Sequence, residues 1–331
     1  MRAERRPTLS DVAARAGVSK SLVSLVMRDE PGAGAETRRR VVEAAGELGY
    51  HPDSRARLLR SGRTKLLGVV FGIQHAFHAD LVTDLYTAAR ETGYELALSA
   101  VTPDRDEAEA VTGLLQDRCE ALILLGPQSP AAALGRLAER MPVVVLARDV
   151  RASVVDVIRN NDADGLRLAV EHLVGLGHRR IVHIDGGRAP GAAERRRGYR
   201  SAMSHHGLAD HEGFIRGGLT EEDGAAAARQ LLDDPPTAVT VFNDRCATGV
   251  LDVLTRERVA VPGDLSVVGY DDSHLARLAH INLTTIAQDT ATLTRLAVAR
   301  AVDRVEGNPV DRREIVVPPR LVVRGTTGPA Q

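Results

Sequence analysis

From Leu66 onward, short apolar runs alternate with longer amphipathic stretches, and they do so in two series. The first has runs at residues 66–71, 96–101, 121–125 and 143–146, with helices expected through Leu81 to Thr92 and through Leu115. The second begins near Asn160, with helices through Leu176, Met203 and Arg256 and runs at 180–184, 238–242 and 265–268. Runs this short and this uniformly apolar suit strands buried on both faces, and the segments between them are long enough for the crossovers that parallel strands require. The expectation is an α/β core of two Rossmann-like lobes with a cleft between them. Small ligands favour the carboxyl ends of parallel strands and lobe interfaces, so the cleft is the expected binding place.

Residues 8–24, Thr-Leu-Ser-Asp-Val-Ala-Ala-Arg-Ala-Gly-Val-Ser-Lys-Ser-Leu-Val-Ser, lie outside that scheme. Thr8 with Asp11 three residues on is a capping-box start, Gly17 supplies a tight turn, and Ser19 is placed to cap a second helix. Two short helices joined this way form a helix-turn-helix, whose second helix fits a DNA major groove. An ordinary surface hairpin would share the spacing alone. A third helix at 36–48, with apolar residues at Val41, Ala44, Ala45 and Leu48, would close a small all-α headpiece. Charge supports the DNA reading: through Lys65 there are 14 Lys and Arg against 8 Asp and Glu, while the remainder is net acidic at 29 against 36.

The 331 residues are 44% hydrophobic, enough for more than one core. No apolar run reaches the roughly 18 to 20 residues of a membrane span and the N-terminus shows no signal core, so a cytoplasmic protein with no membrane partner is expected. Cys119 and Cys246 lack a C-x-x-C spacing and read as small buried residues. Phosphate-loop, nucleophile-elbow and zinc-helix motifs are missing, so neither an enzyme nor a cofactor or metal is expected. The pairs His75/His78 and His205/His206 have no clustered acidic or cysteine partners and read as surface or cleft side chains.

Several separated motifs then converge: residues 11–19 (Asp-Val-Ala-Ala-Arg-Ala-Gly-Val-Ser), Leu48-Gly-Tyr-His-Pro52, Gly175-Leu-Gly-His-Arg-Arg-Ile181, Arg195-Arg-Arg-Gly-Tyr199, Phe242-Asn-Asp244, Val268-Gly-Tyr-Asp-Asp272 and Leu283-Thr-Thr-Ile286. In order and spacing they resemble the LacI/GalR family of bacterial transcription regulators over nearly the whole chain. The resemblance implies a homodimer with paired headpieces, hinge helices and a periplasmic-binding-protein-like core. The boundaries expected are a headpiece at 1–50, a hinge helix and linker at 51–63, an N-lobe at 64–159 and 288–317, and a C-lobe at 160–287 and 318–331.

It further implies that Lys20, Ser21, Ser24 and Leu25 read base edges, with Arg28 following on the same helix. Thr8, Ser19, Thr37 and Tyr50 would hold the phosphate backbone, which sets register without specifying sequence. Ala56 and Leu59 match the spacing by which paired hinges wedge a Leu into the minor groove. Arg195, Asn243 and Asp271 fall where the family binds an effector, and His75 and Phe77 join them from the N-lobe. The sequence also departs from the family. Leu25 replaces a polar residue and cannot make a bidentate guanine contact. Ala33-Gly34 weakens the cap of the third helix, and Asp53 replaces Asn. His75-Ala-Phe-His78 replaces Asn-Pro-Phe-Phe, Ala147 replaces Asp, and Leu219 and Thr290 stand where stacking aromatics are common.

The function expected is a dimeric repressor on pseudo-palindromic operator DNA, its affinity altered by a small effector, with a carbohydrate as one class. A regulator without an effector and a solute-binding receptor share parts of this pattern. No heptad repeat follows the last strand, so no coiled-coil tail is expected.

Overall fold

The computed structural model describes residues 7–27, 29–50, 63–151 and 154–331, and the chain divides into two units, 1–64 and 65–331. Arg28, Ala56, Leu59 and nearly all of the expected hinge lie outside the described residues.

In the first unit, α1 (Leu9–Ala16), α2 (Lys20–Met27) and α3 (Ala35–Glu47) enclose a small core. Val12, Val23 and Val41 are fully buried, with Ala13, Ala16, Val26, Ala44 and Ala45 around them. The Asp11 carboxylate accepts from the Thr8 N–H at 2.7 Å and the Thr8 hydroxyl at 2.6 Å, which fixes the start of α1. Gly17 ends it in the left-handed conformation at φ 65°, where glycine carries no Cβ penalty. Ser19 Oγ accepts from the Leu22 N–H at 3.2 Å and starts α2. At α3 the cap is Gly34, which has no side-chain oxygen to offer. Arg40 of α3 compensates by donating to the Ala16 carbonyl at 2.7 Å, tying α3 to the end of α1.

The second unit holds two six-stranded sheets. In the N-lobe the order is β11-β5-β4-β3-β1-β2, all parallel, from β1 (Leu66–Gly72), β2 (Glu95–Val101), β3 (Ala121–Leu125), β4 (Val143–Leu146), β5 (Asp156–Asn160) and β11 (Glu314–Val317). One face packs on α4 (Ala76–Glu91) and α11 (Thr290–Glu306) through Leu67, Ile123, Leu81, Leu85 and Val298; the other, through Leu66, Leu122, Leu124 and Leu114, packs on α5 (Glu107–Gln116) and α6 (Ala131–Ala138). In the C-lobe the order is β12-β10-β9-β8-β6-β7, from β6 (Ile181–Asp185), β7 (Gly213–Arg216), β8 (Ala238–Val241), β9 (Ser266–Asp271), β10 (Thr284–Ala287) and β12 (Arg320–Val322). Its helices are α7 (Asp162–Gly175), α8 (Ala192–His205), α9 (Glu221–Leu231) and α10 (Asp244–Arg256).

The C-lobe departs from parallel pairing at one edge: β12 runs antiparallel to β10. Only Pro318-Pro319 separate β11 from β12, too short a link for a crossover back to parallel pairing within one sheet, and the chain instead passes to the other lobe's edge. It passes between lobes three times, after β5, after β10 and after β11. Five strands, β5, β7, β10, β11 and β12, carry polar residues or sit at edges and escape a search for apolar runs. Cys119 and Cys246 are buried free thiols, and burial pushes both pKa values up to about 12.

Candidate functional site

The headpiece presents an exposed helix face built by periodicity. Val23 and Val26 of α2 face the core, so Lys20 and Ser21 at its first turn are exposed and Ser24 and Leu25 are half-buried. Among the described cations of residues 7–50, Lys20 alone makes no bond to a described residue: Arg15 pairs with Glu47, Arg38 with Asp29, Arg39 with Glu36 and Glu43, and Arg40 with the Ala16 carbonyl. An unspent ammonium on an exposed helix start is what a polyanion can use. Leu25 is less free than its position on the helix suggests, because a Cβ built on Gly32 would lie 3.2 Å from its side chain. Ser19 Oγ lies 3.0 Å from Ser21 Oγ. The Thr8 hydroxyl is spent on Asp11, Thr37 is half-buried on the first turn of α3, and Tyr50 packs against the headpiece core.

In the core, the carboxyl ends of β1, β3, β4, β8, β9 and β10 meet around one cavity whose walls include His75, Phe77, Arg195, Asn243 and Asp271. Arg195 of α8 is its electrostatic centre at 5% exposure. Its Nε donates to Asp162 Oδ1 at 2.9 Å, its Nη1 donates to the Phe242 carbonyl, and its Nη2 lies 3.8 Å from Asp271 Oδ1. The guanidinium carbon stands 3.5 Å from the Tyr270 ring centroid and 4.5 Å from that of Phe242, a stacked arrangement that desolvates the cation while favouring it. Burial opposes its charge, but Asp162, Tyr270 and Asp271 outweigh that and hold its pKa above the ordinary value.

Two carboxylates beside one guanidinium leave negative charge in excess. Burial raises Asp271 to about 7, and burial with the Asp271 charge raises Asp244 to about 8. Asp271 accepts from Gln288 Nε2 at 2.7 Å and sits at φ 111°, a strained backbone for a residue with a Cβ. Asp244 is fully buried and accepts from the Thr285 hydroxyl at 2.6 Å and the Ser273 N–H at 2.7 Å, which makes it a structural post under β9. Asn243 caps α10 by accepting from the Cys246 N–H at 2.7 Å and donates to the Leu219 carbonyl at 3.3 Å. Its polar atoms already serve the fold.

On the N-lobe wall the His75 and His78 ring centroids are 4.6 Å apart. His78 Nδ1 accepts from the Gly72 N–H at 3.0 Å, and burial, with the neighbouring His75, drives its pKa down to about 3. Burial and Arg245 lower His75 as well. Arg245 of α10 spans the cleft, donating from Nη1 to the Gln74 carbonyl while Glu221 holds its Nε at 2.5 Å. Phe77 is largely absorbed into the N-lobe core.

The reading of His75 and His78 as surface or cleft side chains holds for the cleft, since both line the cavity; Gln288 is a wall residue that the sequence reading does not name. The place of Gln288 just past β10 is the signal that points to it. Ala147 and Leu219 line the cavity, whereas Thr290 does not. Among the described residues no group of three or more His, Cys, Asp or Glu is placed to hold a metal ion.

Residues 8–53 match the family model described as bacterial regulatory proteins, lacI family, and residues 170–327 match that of a periplasmic binding protein-like domain. The transcriptional regulator GalR of Escherichia coli strain K12 is 32% identical over 96% of this chain and 94% of its own length. Two solved structures match closely. A LacI transcriptional regulator from a Rhodococcus species is 50% identical, covering 80% of this chain and 99% of that one at a TM-score of 0.78. A lac repressor dimer, bound to operator and the anti-inducer ONPF, is 31% identical over 98% of this chain and 100% of that one at a TM-score of 0.80.

Proposed function

The chain belongs to the LacI family of bacterial regulatory proteins and is a DNA-binding transcription regulator, and on that premise we propose that it is a homodimeric, cytoplasmic repressor whose operator affinity is set by an effector in the core cleft. The observation that carries the reading is α2: a capped helix whose buried valines leave Lys20 and Ser21 exposed, with Lys20 unspent on any partner among the described residues. Lys20, Ser21, Ser24 and Leu25 read base edges, and Arg28 extends that set. Leu25 meets an apolar feature such as a thymine methyl. Ser19, Thr37 and Tyr50 hold phosphates, and Thr8 joins them by exchanging its bond to Asp11. Ala56 and Leu59 act at the operator centre. Among the described residues no helix is long and apolar enough to cross a membrane.

In the cleft, Arg195 and Asp271 offer a donor and an acceptor to a hydroxyl-bearing ligand, and His75, Phe77 and Asn243 complete the wall. The proposed seat of the second copy is the N-lobe edge, a reading supported by the exposed apolar residues Ile73, Tyr86 and Leu98 on and beside α4 and β2. Effector and operator are then coupled by a free energy of about 1 to 3 kcal/mol. The test is binding of the full chain to operator and to random duplex across a salt series. Operator affinity falls with log salt at a slope of about −0.9 per phosphate neutralised, and Leu59→Ala weakens operator binding far more than random binding. A flat salt profile, or equal losses on both duplexes, contradicts the reading.

A further inference from the structure

The chain itself joins the two lobes at three places, after β5, β10 and β11. Away from those passages, one hydrogen bond among the described residues crosses the cleft: Arg245 Nη1 donates to the Gln74 carbonyl. The ion pairs between described core residues each stay within one lobe. Another close approach across the cleft is apolar, since a Cβ on Gly126 would lie 3.7 Å from Pro190 Cγ. The polar tie between the cleft walls therefore rests on one side chain.

That side chain is aimed from its own lobe. Arg245 lies in the first turn of α10, and its Nε donates to Glu221 Oε2 at 2.5 Å, Glu221 being the first residue of α9. A guanidinium carries its donors in a rigid plane, so fixing Nε fixes the direction of Nη1. The acceptor is set as well. The His75 N–H donates to the Gly72 carbonyl at 3.2 Å and closes the turn between β1 and α4 that holds Gln74. A backbone carbonyl in a closed turn loses little freedom when it accepts, which favours the bond over one between two free side chains.

The walls held in this way enclose about 60 Å³ beside Arg195, Asn243 and Asp271, room for roughly four or five water-sized spheres. Pockets that bury a small organic molecule start at about 300 Å³. A ligand of that size fits once the walls move apart, and moving them apart breaks the bond from Arg245 to Gln74. Neither residue lines the cavity, so neither is a contact group for what binds there.

We propose that Arg245 is a latch between the lobes: its bond to the Gln74 carbonyl, aimed by Glu221, sets the spacing of the cleft walls and is released when a ligand enters. The latch rests on the effector-site reading above and names the positioning residue on which access to that site depends.

The test measures the wall spacing directly, with neither ligand nor DNA. Spin labels on Ala108→Cys and Ala193→Cys occupy exposed positions just past β2 and β6, on opposite lobes. Double electron–electron resonance reads the distance between them, with labelled chain diluted into unlabelled so that one labelled copy is present in each assembly. Cys119 and Cys246 are buried, their thiols pushed up to about 12, and are expected to stay unlabelled. Arg245→Met keeps the stem and removes the donors; it is expected to lengthen the spacing by more than about 2 Å with the thermal unfolding midpoint unchanged. Glu221→Gln, which weakens the anchor and leaves the donors, is expected to lengthen it less. Arg256→Met removes an exposed ion pair with Asp252 on the same helix and is expected to leave the spacing as it is. An unchanged spacing in Arg245→Met, or an equal lengthening in Arg256→Met, overturns the latch and leaves the effector site standing. A longer spacing confined to the Arg245 and Glu221 variants supports the latch; if operator affinity is then unmoved in Arg245→Met, the latch stands and the coupling of cleft to DNA is contradicted.

Discussion

The headpiece and the core solve the same problem, exposing a few polar groups on a stable frame, by opposite means. In the headpiece the frame is a handful of valines and alanines, and the groups proposed to read DNA lie on consecutive turns of one eight-residue helix. In the core the frame is two doubly covered sheets, and the groups proposed to bind the effector arrive one at a time from strand ends far apart in sequence. The consequence is electrostatic. Lys20 stays in solvent with its charge available, whereas Arg195 is buried and already shared between Asp162 and Asp271. A surface cation recognises by long-range attraction that salt can screen; a buried one recognises by geometry, and its removal is felt throughout its lobe.

That contrast is broken most directly at Arg195. Arg195→Ala leaves Asp162 and Asp271 buried without their cation, a loss expected to cost the core about 3 to 5 kcal/mol, with the headpiece transition unmoved. Urea unfolding followed by core and headpiece probes checks it, and a cost under about 1 kcal/mol would mean the trio is better solvated than its burial indicates. Lys20→Ala is the headpiece counterpart. It is expected to cost about 1 to 3 kcal/mol of operator binding with core stability and ligand affinity unchanged; fluorescence anisotropy and thermal unfolding read the two halves separately.

The smallest effect is on pH. Asp271 and Asp244, raised to about 7 and about 8, keep protons in the folded core that the unfolded chain has released above 3.8, so rising pH favours unfolding until both have ionised. The imidazoles of His78 and His183, lowered by burial to about 3 and about 4, act oppositely: below 6.5 the unfolded chain takes up their protons first, and that contribution to stability is lost as pH falls. Between roughly 4 and 6.5 the two sets act in opposite directions, with His75, His172 and His178 also lowered and Asp80 also raised by burial; above 6.5 the raised carboxyls dominate. Core stability is therefore expected to fall by about 1 kcal/mol or more between pH 6.5 and 8, while the headpiece, with no such buried group among its described residues, stays level. Equal pH slopes in both units would remove the electrostatic half of the comparison.

Much of this division is legible in the sequence, for reasons that follow from it. A helix-turn-helix is local: Thr8 with Asp11, Gly17 and Ser19 each act within a few residues of where they stand, and the structure gives each the bond or backbone angle its spacing predicts. Buried parallel strands are equally plain as apolar runs. The edge strands are not, because β7 and β12 expose a face and their polar residues hide the period. The cleft is harder still. Arg195, Asn243 and Asp271 are visible through family likeness, but that Asn243 is committed to capping α10, and that His78 rather than Thr290 faces the cavity, depends on how distant strand ends converge. No local spacing encodes that convergence.

The central claim is that one chain couples a sequence-reading headpiece to a ligand-reading core, and the direct measurement is fluorescence anisotropy of the full chain on a labelled duplex from upstream of its own gene, with random duplex as reference, with and without a ligand that stabilises the core. The account predicts tight binding to the upstream duplex, weak binding to the random one, and a shift of about fivefold or more on the former when ligand is added. Equal affinity for the two duplexes, or tight specific binding that a saturating core ligand leaves unmoved, would contradict it.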